Sequence, residues 1–383
     1  MASNHYQFKN IHEMIDTYYG KSMDVTKADA PVITTTTGVL NKIFGAQAFS
    51  QLNNESNVFG LLPKYPWQHS GFRVITADPG STGDGGLAES ATVPFTVKPT
   101  FAEISLSVKQ VSHTFQASMI QQGLVKKTGD DAIGDMEFLR GYFATLHAKR
   151  INEQLCIDTD TLASAGNTLE SLDRVTSSSA GSVAVGNTAG DEDIYGIDRS
   201  ASAWADAQQS HNSASDRFLS LDLVRDNLAA LEKAGAKTNV IITGSDTKWR
   251  IFALAEASVR YQGVVKQDIM VSIGVNGVET EQGINLGTRV ATVYNIPLFT
   301  SQAVQADTIS RIYLLDTTIQ EETGIPRLGV SLLYPTLYFE SGLNSKDGHP
   351  FSIDFYGDKG GYYTAGELVC TYFAVQGQIR DLK

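Results

Sequence analysis

Side chains able to do chemistry are thinly spread along these 383 residues. The histidines (His5, His12, His69, His113, His147, His211 and His349) are scattered, and no two have the helical spacing with which imidazoles grip zinc. Gly83-Asp84-Gly85-Gly86 misses a dinucleotide fingerprint because its third glycine is displaced and no helix follows at once; it reads as a flexible tip. Gly244-Ser245-Asp246-Thr247 follows a strand and opens a helix, as a phosphate-binding turn does. Without a P-loop lysine, Ser245 or Asp246 is expected to cap the helix instead. The acidic clusters Asp158/Asp160 and Asp191/Glu192/Asp193 carry oxygen ligands of the kind calcium takes, but solvated loops are the simpler expectation. Cys156 reads as a small buried side chain. No catalytic residue, cofactor site or metal ligand is therefore expected. An enzyme on an α/β fold would lack a nameable nucleophile, base and oxyanion set.

Composition narrows the partners. Apolar residues at 42% and charged residues at 19% describe an ordinary globular core. A net charge of -12 works against dedicated nucleic-acid binding, which needs clustered Lys and Arg to displace counterions. Two cysteines, Cys156 and Cys370, make no disulfide framework and fit a reducing compartment. No stretch approaches the ~18–20 consecutive apolar residues of a membrane span. Met1–Asn10 holds no apolar signal core.

The elements that position these residues begin with residues 1–66, which read as an arm. Ile11–Tyr19 and Leu40–Phe49 have helical spacing in short pieces, the Thr34–Thr37 run favours extended backbone, and Pro63 and Pro66 end regular structure. The alternatives are an N-terminal subdomain of its own and an arm lying along other subunits, and the low apolar density suits the arm. A hairpin follows, with strands at Phe72–Thr76 and Phe101–Phe115. The second strand alternates through Ile104, Leu106 and Val108, then slips phase near Lys109–Gln110, where a bulge is expected. Between the strands, Ala77–Thr100 is far longer than the 2–5 residues a hairpin turn needs. Val93, Phe95 and Val97, with Glu89 and Lys98, are expected to touch a neighbouring subunit, since a projecting loop has little of its own body to pack on.

A long helix is expected over 130–157, with Ile133, Met136, Leu139, Phe143, Leu146, Ile151 and Leu155 along one stripe. Residues 160–218, rich in Ser, Gly, Asn and Asp, read as loop-rich surface. Order returns with a helix at Ser220–Ala234 stopped by Gly235, a strand at Val240–Thr243 and a helix at Asp246–Ala257. Strands are expected at Arg289–Tyr294, Ile309–Leu315, Arg327–Phe339 and Leu368–Val375, the last central in a sheet.

Taken in order, arm, long hairpin, spine helix, α/β domain and return strand resemble the major capsid proteins of tailed viruses, of bacteriophage or archaeal origin, with the Hong Kong-97-type fold. The local likenesses are Gly85-Gly86-Leu87-Ala88-Glu89 with Val93-Pro94 at the loop tip and Phe101–Leu106 in the returning strand. Phe138–Leu155 resembles the spine, Asn295-Ile296-Pro297-Leu298 ahead of Ile312–Asp316 the exit from the axial domain, and Gly366–Val369 the final strand. The resemblance implies an α+β chain divided into an arm (1–66), an extended loop (67–120), a peripheral domain (121–215, with spine helix 130–157), an axial domain (216–324) and a return to the peripheral domain (325–383). It implies pentamers and hexamers closing an icosahedral head around double-stranded DNA, with no sequence-specific contact to that DNA and no membrane. Portal, scaffold and decoration proteins would be its partners, and the virion, assembled in the host cytoplasm, its place. The family often carries an N-terminal scaffolding segment that protease removes. With this chain beginning at Met1, cleavage is not expected and a scaffold would be a separate protein. Crosslinking of a loop lysine such as Lys98 to an asparagine such as Asn344 is not expected either. An encapsulin-like compartment sharing the fold is the alternative.

Overall fold

The computed structural model describes residues 32–33, 57–77, 86, 88–92, 98–120, 122–123, 136–158, 166–188, 190–261, 291–320, 323–342 and 356–383. The short helices expected at Ile11–Tyr19 and Leu40–Phe49 and the Thr34–Thr37 run lie outside them. In chain order the elements begin with β1 (Val32–Ile33), α1 (Asn57–Leu61), β2 (Lys64–Pro66), β3 (Gly71–Ala77), β4 (Thr100–Ser105), β5 (Lys109–Ser118) and α2 (Met136–Leu155). They continue with α3 (Leu172–Val175), α4 (Ser179–Ala184), β6 (Gln208–Ser210), α5 (Leu221–Lys233), β7 (Val240–Thr243), α6 (Ser245–Tyr261), β8 (Ala291–Val293) and β9 (Ile296–Thr300). β10 (Ile312–Leu315), β11 (Leu328–Gly342), β12 (Gly357–Cys370) and β13 (Gly377–Ile379) complete the order. The chain divides into two compact units. One is Met1–Asn54 with Val111–Arg150 and Tyr334–Ala365; the other is Glu55–Gln110 with Ile151–Leu333 and Gly366–Lys383.

In the first unit, α2 covers a sheet in which β5, β12 and β11 are successive neighbours and β1 runs parallel to β5 through Val32↔Gln116. Phe115, Ala117, Met136 and Leu139 form the core, with Phe143, Tyr338 and Tyr362 packed on it. Phe115 stacks on Phe143 with centroids 4.9 Å apart. A Cβ on Gly360 would stand 2.7 Å from the Phe115 ring, so only glycine lets that ring lie against β12. Arg140 donates to the Tyr338 hydroxyl at 2.8 Å and pairs with Glu340, while Tyr362 donates to the Arg140 carbonyl at 3.0 Å. The helix expected over 130–157 spans Met136–Leu155; residues 130–135 lie outside the described ones. Along α2 Met136, Leu139, Ile151 and Leu155 of the expected stripe are buried, Phe143 and Leu146 are half-covered, and His147 is buried beside Leu146.

The second unit is built on a six-stranded sheet in the order β6-β13-β10-β7-β9-β8. β7 and β9 are parallel, and β10 runs antiparallel to β7 and β13. Val224, Leu228 and Leu231 of α5 are buried with Ile241, Leu298, Ile312 and Leu314. The Ser220 side chain accepts from Leu223 N–H at 3.1 Å and caps α5, and Gly235 takes φ +85° just past its end, a left-handed conformation that suits glycine. In this unit β11 continues beside β2, which it meets in parallel at Val330↔Lys64.

Several expectations change. The second hairpin strand is two strands: β4 ends at Ser105 and β5 begins at Lys109 in a different sheet. Covered positions are even up to Val108 and odd from Val111, and a slip of one residue would turn the whole apolar set outward in a single ladder. The chain changes sheets there instead. Leu61–Pro66 contains a short strand, because parallel pairing to β11 accommodates Pro66 at its last position. Residues 160–218 are no simple surface: α3 is entirely buried, and Ser171 and Ser178 cap α3 and α4. The expected strand Leu368–Val375 is the last three residues of β12 and a turn, followed by β13. β12 itself is central, between β5 and β11.

Candidate assembly surface

The motifs that could have carried chemistry are used structurally. Gly244–Thr247 fastens the start of α6 to the loop before β10. Asp246 Oδ2 accepts from Ser310 N–H at 2.8 Å, and Thr247 Oγ1 donates to the Ser310 carbonyl at 2.6 Å. Burial would raise the Asp246 carboxyl, but its hydrogen bonds, led by Ser310, hold it below the usual value. The acidic loop is not solvated: Asp191 and Glu192 are buried, and they accept from Thr188 and Gly190 N–H at 3.0 and 3.2 Å. Asp158 pairs with Arg311, and Asp160 lies outside the described residues. Cys156 and Cys370 are both buried. Among the described residues no three His, Cys, Asp or Glu side chains gather as a metal site.

Two buried polar centres have no local signature in the sequence. Arg311, 2% exposed, pairs with Asp158, Asp173 and Asp307 at 3.0, 3.0 and 2.9 Å. Burial opposes its charge, but the carboxylates, with Asp173 foremost, raise its basicity further. Glu170 and Glu367 flank a cavity of about 440 Å³ that Lys109, Asp193 and Tyr195 also line. Glu367 Oε1 accepts from the N–H groups of Glu170 and Leu368 at 2.7 and 3.0 Å. Burial pushes its carboxyl up to about 8, and the Glu170 charge adds to the effect. Burial also raises Glu170, against the opposing pull of Arg174, which it meets at 2.8 Å.

The surface that stands out is the β3–β4 ribbon. Its strands pair through Phe72↔Ile104, Arg73↔Glu103, Val74↔Ala102 and Ile75↔Phe101. Residues alternate sides along a strand, so the ribbon has two faces. One, with Phe72, Val74, Ala102 and buried Ile104, is covered or half-covered. On the other, Ile75 and Phe101 sit directly opposite each other and are 59% and 54% exposed. Beside them Arg73 and Glu103 form an exposed ion pair at 2.8 Å. A two-stranded ribbon is marginal alone in water, and an apolar cross-strand pair facing solvent leaves favourable burial unused. Of the residues expected at the contact, Glu89 and Lys98 are exposed; Val93, Phe95 and Val97 lie outside the described residues. Ile75 and Phe101 were not singled out, although strict alternation on both strands would have placed them on one face.

The sequence matches no protein-family model and no curated protein. The fold does find counterparts among solved structures. The chain is similar to one in the cyanophage A-1(L) capsid asymmetric unit, with TM-score 0.59 and 15% identity over 88% of this chain and 95% of that one. It is similar to one in the capsid of a native GTA particle, with TM-score 0.50 and 13% identity over 95% and 97%. A chain of the holo-SrpI encapsulin complex from Synechococcus elongatus PCC 7942 gives TM-score 0.49 and 11% identity over 88% and 93%. The α+β fold is the Hong Kong-97-type fold of tailed-virus major capsid proteins, matched over most of the chain.

Proposed function

We propose that this chain is a shell subunit: a major capsid protein whose copies assemble as pentamers and hexamers into an icosahedral head around double-stranded DNA. The observation that carries the reading is the Ile75–Phe101 pair, held in register across a ribbon whose other face is buried at Ile104 and half-covered at Phe72, Val74 and Ala102. Covering the exposed half of each side chain contributes about 1 kcal/mol. A closed shell repeats that contribution in every copy, so a modest contact becomes decisive for assembly. The net charge of -12 suits a wall that must not adhere to the polyanion inside it. The role is structural and not catalytic. It requires no cofactor, and its partners are other copies of the chain, a portal, a separate scaffold and, in some heads, a decoration protein. The mature location would be the virion, after assembly in the host cytoplasm.

Negative-stain microscopy of the purified protein tests this. Shells of one large diameter, empty or DNA-filled, support the reading. Small shells with dense protein inside would replace it with a cargo compartment, and monomers at high concentration would remove both.

A further inference from the structure

Sequence separation hides a contact in the first unit. His113 on β5 and His147 on α2 point at each other, with their Nδ1 atoms 2.8 Å apart and ring centroids 5.0 Å apart at 80°. His147 is 1% exposed, and its Nε2 lies 2.7 Å from Thr364 Oγ1 on β12. Thr364 Oγ1 in turn meets Thr336 Oγ1 of β11 at 2.9 Å. Four side chains thus link the helix to three strands.

Among the described residues, the groups facing the pair leave it without a negative partner. From α2 comes Arg150, whose charge bears on His113; from β12 comes Tyr362, its ring 6.1 Å from His147. From β11 comes Thr336, which reaches the pair through Thr364. β5 contributes His113 itself. Among the described residues no carboxylate bonds either imidazole. Burial lowers both rings, His147 to about 4, with the His113 charge adding to the effect there and the Arg150 charge at His113.

Proton counting then gives two regimes. A neutral pair carries two ring protons on four nitrogens, so one Nδ1–H can donate to the other's bare Nδ1. A third proton can sit on an outer nitrogen and leave that bond intact. A fourth puts a hydrogen on both Nδ1 atoms, leaving two donors and two positive charges face to face with no acceptor between them.

We infer that the His113–His147 pair is an acid-released latch, which holds α2 to its sheet through the first added proton and lets go at the second. The latch does not depend on whether the chain assembles. Hydrogen exchange on the unassembled full-length protein tests it. Between pH 7 and pH 4.5, protection factors of the α2 amides at 136–150 should fall at least tenfold in the wild type, while those of β7 and β10 fall less. In His113→Gln, which keeps a hydrogen-bonding side chain but cannot be charged, the selective loss at α2 should shrink, because burial alone then opposes a charge on His147. His147→Gln should behave alike, and His113→Gln, at the more exposed position, remains informative if that variant fails to fold. An equal loss in His113→Gln, no selective loss in the wild type, or two histidines titrating independently near 6.5 by NMR would each overturn the latch.

Discussion

Replacing Glu367 by Gln should make this protein more stable, and increasingly so as the pH rises. Glu367 is 3% exposed, and its Oε1 already accepts two backbone N–H groups. A glutamine oxygen can accept the same two bonds, so Glu367→Gln imitates the protonated acid. The native carboxyl titrates at about 8 against an ordinary 4.5. A carboxyl raised by folding contributes its stability fully below the unfolded value, and that stability drains as pH climbs through the folded value. Each unit of that gap is worth about 1.36 kcal/mol. Between pH 5 and pH 7 the wild type should therefore lose roughly 2–3 kcal/mol that the variant keeps. Urea unfolding of unassembled wild type and variant across pH 5 to 8 gives the difference curve, from which the histidines and surface carboxylates cancel. The two should agree within about 1 kcal/mol at pH 5 and diverge steadily above it. Parallel curves over the whole range would mean that Glu367 is ionised in the folded chain at neutral pH, and the reading of this buried carboxyl would be wrong.

Phe101→Ser should leave the melting temperature of the unassembled protein within about 2 °C, yet raise the concentration needed for assembly severalfold, measured by light scattering, since each 1.4 kcal/mol is a factor of about ten. A large loss of melting temperature with unchanged assembly would mean that the ribbon's open face is covered within its own subunit. Boiled shells on a denaturing gel should run as one band near 41.4 kDa; a ladder would reveal covalent links, with Lys98→Ala the first substitution to try. Deleting Met1–Asn53 should keep most of the circular dichroism signal while lowering shell yield, and a truncated chain that does not fold would put the arm in the core.

Elements whose signal is local were legible. α5 shows its apolar stripe, its Ser220 cap and its Gly235 stop within sixteen residues, and β7 is an unbroken apolar run. β12 was legible only at its end, because its first half, with Gly357, Gly360 and Gly361, has little strand propensity. Those glycines answer to neighbours: a Cβ on Gly360 would collide with Phe115, and one on Gly366 would lie 2.4 Å from the Ser331 carbonyl. Such a strand is set by what packs on it, and that comes from elsewhere in the chain: Ser331 is 35 positions from Gly366 and Phe115 is 245 from Gly360. The same holds for the polar centres. His113 and His147 are 34 positions apart, and Arg311 and Asp173 are 138 apart; no spacing rule links either pair. In the ribbon, alternation was readable on each strand, but which face would stay open depends on what lies under Ile104.

That open face and the Arg311 cluster belong to the same unit and break the same rule in opposite directions. A chain selected only for its own stability would cover Ile75 and Phe101 and keep Arg311 in water. Replacing a buried ion cluster by apolar side chains is often neutral or stabilising, so the cluster is poorly explained as a source of stability. Its geometry offers a better account. Asp158, Asp173 and Asp307 come from the segment just after α2, from α3 and from the loop before β10, and one guanidinium fixes all three segments at 2.9–3.0 Å. Directional bonds specify one arrangement where apolar packing would tolerate several. Exposed apolar area, in turn, does nothing for the single copy and contributes only on association. A subunit whose value lies in repeating one contact many times needs both: a body held to a single shape, and free energy of burial withheld until the next copy arrives.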